Sequence, residues 1–127
     1  FIYVVREYVD AFRKEGLKVL LYYSILDMHH QLRPSLITRE DIEMVKTQLT
    51  ELLTGYGEIT AIIIDGWDAP WSRISYEDIP FNEIYSIVFH KFFLETRHAA
   101  PTDGKKAKRL EEPNLEEPSK RAVAVIK

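Results

Sequence analysis

The chain has 127 residues, 46% hydrophobic and 29% charged, enough for one modest core and no second domain. Seventeen Lys and Arg against twenty Asp and Glu leave a net charge of -3, so no broad cationic field draws a phosphate backbone, and nucleic acid is not an expected partner. No apolar run approaches the roughly 20 residues that span a bilayer, so no membrane partner is expected. The absence of Cys excludes disulfides, thiolate metal sites and a Cys nucleophile.

The chain opens on Phe1 rather than Met, and Val4, Val5, Tyr8, Val9 and Phe12 already follow helical spacing. The sequence therefore reads as a segment that begins inside an amphipathic helix. Gly16 suits the left-handed position after that helix, with Arg13 and Lys14 in its last turn where the dipole favours cations. Lys18 to Ile25 is a nearly continuous apolar run, the pattern of a parallel strand covered by helices on at least one face. Asp27, His29, His30, Gln31, Arg33 and Pro34 then read as a loop.

Thr38, with Asp41 three residues later, is a variant capping box that predicts the start of a second helix. Its buried stripe is Ile42, Val45, Leu49, Leu52, Leu53 and Tyr56, and Gly55 and Gly57 end it. Ile59 to Ile64, β-branched at five of six positions, predicts a second strand that stops at Asp65-Gly66-Trp67. A polar and aromatic loop leads to Pro80, and Ile84, Ile87, Val88 and Phe92 predict a third helix.

Residues 1–100 carry 10 basic and 15 acidic side chains, net -5, whereas 101–127 carry 7 and 5, net +2. The second stretch holds Pro101, Pro113, Pro118, a KKAKR cluster and two Glu pairs, too little apolar surface to offset ordering, so it reads as a charged, disordered C-terminal tail.

The order α-β-α-β-α contains one βαβ unit, whose strands run parallel and end on the same side. The loops at Asp27 and Asp65 therefore share the carboxyl edge, where α/β folds place their chemistry. The two strand starts lie 41 residues apart, and eight such repeats give about 330 residues, within the range of an eightfold barrel. The fold class read from this pattern is an incomplete TIM (β/α)8 barrel. A doubly wound sheet fits the same order, but no Gly-rich phosphate loop follows either strand.

Asp65 is the sharpest chemical signal. A carboxylate that ends a buried strand needs a polar cavity or donors, and Gly66 leaves room for a ligand beside the backbone. That placement suits a nucleophile; the same pair also serves a plain Asp-Gly turn or a helix cap. Trp67, Trp71, Tyr76 and Phe81, with Asp68, Arg73, Glu77 and Asp78, offer the aromatic faces and polar groups that bind a sugar, or else pin their own loop. His29 and His30 diverge if extended, which disfavours a two-ligand metal site; one of them faces the pocket, or they bond locally.

Three blocks carry a family resemblance: Gly16-Leu17-Lys18-Val19-Leu20-Leu21-Tyr22-Tyr23-Ser24-Ile25-Leu26-Asp27-Met28-His29-His30; Lys46 to Leu53 with Tyr56-Gly57-Glu58-Ile59; and Ile64-Asp65-Gly66-Trp67. In order and spacing they resemble the central barrel of α-L-fucosidases, glycoside hydrolase family 29, over the stretch from the first residues to about Tyr85. The resemblance implies a partial catalytic barrel over 1–100 and a retaining exo-glycosidase that releases terminal α-L-fucose from a fucosylated glycan or glycoside. Asp65 matches the nucleophile, and Trp67, His29 and His30 are placed near the substrate. It implies no metal and no cofactor.

The family's acid/base glutamate lies beyond the matching blocks, so the segment alone is expected to be inactive. Ile63 stands where many members carry an aromatic residue. The motifs fade after Tyr85, as a truncation or reading-frame change would produce. Two other functions fit the residues: a non-catalytic truncated fragment, and a carbohydrate-binding or scaffold protein that uses the aromatic loop.

Overall fold

The computed structural model describes residues 2–94. The charged tail expected over 101–127 lies outside the described residues. Helix α1 spans Ile2–Lys14, strand β1 Leu20–Ser24, helix α2 Arg39–Thr54, strand β2 Ala61–Asp65 and helix α3 Phe81–Phe89. A single π-helical turn, His90–Leu94, follows α3, where the sequence pattern predicted a continuous helix to Phe92.

Each boundary has a local cause. Gly16 takes φ +72 after α1, a conformation that other side chains rarely adopt. At the start of α2, the Thr38 hydroxyl accepts the Asp41 amide and the Asp41 carboxylate accepts the Thr38 amide, the full reciprocal box. Arg13 does more than complement the dipole of α1, because its guanidinium donates to the Glu58 carbonyl at 2.6 Å. Arg6 donates to the Gly55 carbonyl at 2.7 Å and lies over the Tyr56 ring, so two cations tie α1 to the loop that leaves α2.

The strands pair in parallel with Leu20 opposite Ala61, Tyr22 opposite Ile63 and Ser24 opposite Asp65. Because side chains alternate along a strand, this register sorts the sheet into two faces. Val19, Ile25, Ile62 and Ile64 are buried against the helices, in one core with Val9 of α1, Val45, Leu49 and Leu53 of α2, and Ile84 and Val88 of α3. The opposite face carries Leu20, Tyr22, Ile63 and Asp65. Leu20 is 44% and Tyr22 61% exposed, so the helices cover only one side of the sheet.

Helices α2 and α3 are joined at their surface by charge. Arg39 bonds Glu83 through both terminal nitrogens, at 2.8 and 2.9 Å, and Lys46 reaches Glu83 and Glu43 at 3.1 Å. The two cations, Arg39 first, hold the Glu83 carboxyl down at about 2.

Candidate active site

Asp65 is the last residue of β2, half-buried, on the uncovered face of the sheet. Its carbonyl accepts the Ile25 amide at 2.9 Å, extending the ladder past β1 and fixing the strand end. Its side-chain Oδ2 accepts the hydroxyl of Tyr22, which reaches across from β1 on the same face. That contact pushes the Tyr22 phenol up, since a phenolate would lose the bond and repel the carboxylate.

Gly66 explains how the chain leaves the strand. Its φ is +122, and a Cβ built there would meet Ile25 Cγ1 at 2.6 Å and the Leu26 nitrogen at 3.5 Å. The turn after Asp65 therefore packs directly on the chain leaving β1, which brings the two strand-end loops together.

The first of those loops is organised by Asp27. Oδ1 accepts the amides of His29 at 2.9 Å and His30 at 3.1 Å, and Oδ2 meets His30 Nδ1 at 2.6 Å. Burial alone would raise this carboxyl, but the bonds from the His30 ring and from the backbone of both histidines hold it below its ordinary value. The same turn brings His29 and His30 edge to face, centroids 4.8 Å apart, rather than diverging as in extended chain. Both remain exposed. Tyr23, one residue from Tyr22 but on the covered face, donates to Gln48 Oε1 at 2.7 Å, and burial together with the Asp27 charge raises its phenol.

The second loop folds on itself. Asp68 N–H donates to the Ile74 carbonyl at 2.8 Å, and buried Ser72 donates its hydroxyl to the Gly66 carbonyl. Asp68 and Arg73 take left-handed φ of 48 and 56 to close the turn between them. Ser75 and Asp78 then cap each other, since the Ser75 amide donates to Asp78 Oδ2 at 2.9 Å and the Asp78 amide to Ser75 Oγ at 3.0 Å.

Trp67 is 4% exposed; its indole N–H donates to the Ile79 carbonyl at 2.8 Å, and its ring stacks on Tyr76 and meets Phe81 edge-on. The structure thus uses Trp67 to hold the loop on the core, whereas Trp71, six residues beyond Asp65, stays 56% exposed.

Sequence reasoning passed over Tyr22 and Asp27. Strand parity was the signal for Tyr22, since it lies two positions before Ser24, the register partner of Asp65. The signal for Asp27 was the Asp-x-x-His spacing of a side-chain-capped turn.

The βαβ unit thus sets the Asp65 side chain at the shared carboxyl edge, on the face left open by the helices, the edge where α/β folds carry ligand-binding and catalytic groups. The profile of the α-L-fucosidase family matches residues 2–120, and the chain belongs to that family, glycoside hydrolase family 29. A crystal structure assigned as an α-L-fucosidase from Bacteroides thetaiotaomicron is 35% identical with a TM-score of 0.55, covering 69% of this chain and 18% of that one. A glycoside hydrolase family 29 member from an unknown rumen bacterium is 29% identical with a TM-score of 0.53, covering 69% of this chain and 17% of that one. The chain therefore spans less than a fifth of the length of these two structures. No curated protein matches it. The family match runs well past Tyr85, beyond the three motif blocks that carry the resemblance in the sequence.

Proposed function

We propose that this segment is the nucleophile-bearing part of a TIM-barrel catalytic domain of a retaining exo-α-L-fucosidase. The observation that carries the reading is the position of Asp65: a carboxylate at the carboxyl end of a parallel strand, on the uncovered face, in a chain of the fucosidase family. The open face of Leu20, Tyr22, Ile63 and Asp65 is then the barrel interior, and α1, α2 and α3 belong to its outer ring.

In this reading Asp65 Oδ1 attacks the anomeric carbon of a terminal fucoside. The C1–Oδ1 bond forms as the glycosidic bond breaks, and the leaving oxygen takes a proton from a second carboxyl about 5 Å away. Water then attacks C1, gives its proton to that second carboxylate and releases Asp65. The second carboxyl is not assigned to any residue of this chain, and the isolated segment is proposed to be inactive.

His30, oriented by Asp27 through Nδ1, leaves Nε2 for a sugar hydroxyl, with His29 beside it. Trp67 serves the substrate by holding the loop that follows the nucleophile, while Trp71 offers a face for the sugar or its leaving group.

A mechanism-based trap tests this in a complete fucosidase barrel that carries the segment. A 2-fluoro-fucosyl fluoride should leave a fucosyl adduct on the peptide containing Asp65, and Asp65→Gly should lower kcat by roughly 10³-fold or more. Unchanged turnover in Asp65→Gly, or an adduct on another carboxylate, refutes the assignment.

A further inference from the structure

The Asp65 carboxylate has an asymmetric environment. Among the described residues, Oδ2 accepts the Tyr22 hydroxyl and Oδ1 accepts no hydrogen bond. Tyr22 reaches it along the open face, from a side chain that is otherwise 61% exposed and makes no other polar contact among the described residues. Its hydroxyl therefore has one specific partner, the carboxylate that ends the neighbouring strand. Tyr23, the adjacent ring on the covered face, is engaged with Gln48 and takes no part.

We propose that Tyr22 is a positioning residue for the nucleophile: its hydroxyl holds Asp65 Oδ2 so that Oδ1 is the oxygen presented to the anomeric carbon. The inference rests on the reading of Asp65 as nucleophile and adds a residue to it. A carboxylate free to rotate about its terminal torsion offers either oxygen in many directions, whereas one pinned at Oδ2 has its attacking lone pair aimed before substrate arrives. In the covalent intermediate Oδ2 becomes the ester carbonyl oxygen. The same O–H then donates to it and favours its return to carboxylate when water attacks C1. No proton leaves Tyr22 at either step, in keeping with a phenol that the neighbouring carboxylate holds in its neutral form.

Two measurements test the pairing and its use separately. In the 127-residue chain, ultraviolet titration of the tyrosines should show several late-ionising phenols, those of Tyr22, Tyr23 and Tyr76, of which one moves to lower pH in Asp65→Asn and disappears in Tyr22→Phe. A tyrosine titration unaltered by Asp65→Asn overturns the contact. In a complete fucosidase barrel that carries the segment, Tyr22→Phe should lower kcat about 10- to 100-fold with KM within about twofold, and it should slow release of the trapped 2-fluoro-fucosyl adduct. A side chain that served only folding would lower the amount of active enzyme without changing the adduct's lifetime. Wild-type kcat and adduct lifetime in Tyr22→Phe overturn the positioning role even where Asp65→Gly abolishes turnover. Turnover that survives Asp65→Gly overturns instead the nucleophile reading beneath it.

Discussion

Two residues flanking the strand end show how much depends on a single backbone position. Gly66 follows Asp65 at φ +122 with no room for a Cβ, because Ile25 Cγ1 lies 2.6 Å from where it would be. Gly66→Ala should destabilise the chain by about 2–4 kcal/mol, combining overpacking with an unfavourable backbone angle, as read from the urea midpoint. Trp67 sits one position on and makes the opposite kind of contribution, filling the space between Tyr76 and Phe81 while its N–H satisfies the Ile79 carbonyl. Trp67→Ala should cost about 3–5 kcal/mol and leave that carbonyl without its donor. A loss of sugar binding with stability intact would show instead that Trp67 contacts substrate. The sequence pointed to both residues, but for Trp67 the residue pattern favoured a loop anchor while the family resemblance placed it near the substrate. Only the observed burial separates them.

At the scale of elements, the helices are specified locally and joined by tertiary contacts. Thr38→Ala removes the acceptor for the Asp41 amide and should cost about 1 kcal/mol of unfolding free energy. The bridge between α2 and α3 is different, since Arg39, Lys46 and Glu83 meet across 37 to 44 residues of chain. Glu83 is held at about 2 against an ordinary 4.5. Its contribution is therefore fully present above pH 4.5 and lost as pH falls toward 2, where the carboxyl takes up a proton. Thermal unfolding across that window should show a falling midpoint that is shallower in Glu83→Gln, with the remaining slope due to Asp27 and other carboxylates. Added salt should weaken the same bridge, because its groups are reached by solvent. A slope identical in wild type and Glu83→Gln would mean that the bridge does not stabilise the folded chain.

For the molecule as a whole, the decisive feature is a two-stranded parallel sheet covered on one face. Leu20 and Tyr22 expose apolar surface on the other, and among the described residues each strand has an unpaired outer edge. Such surfaces pair with other chains unless something covers them. The 127-residue chain should therefore self-associate with rising concentration in sedimentation velocity, and Leu20→Lys, at an exposed position, should reduce that association while preserving the fold. A monomer at all concentrations would show that the open face is masked within the chain.

The sequence by itself determined the order of elements, the parallel pairing and the location of the carboxylate. These follow from periods of two and 3.6, from capping residues beside their own helices, and from the reach of one crossover helix, all of which act over short stretches of chain. The three blocks around Tyr22, Leu49 and Asp65 also carried the family. Only the tertiary structure decided which face of the sheet is left open, that Tyr22 rather than Tyr23 meets Asp65, that Asp27 rotates two histidines into one turn, and that Trp67 is buried while Trp71 is not. Each of these depends on register and on side chains from separate elements competing for one space. A one-residue shift in pairing would exchange the two tyrosines without altering any local pattern.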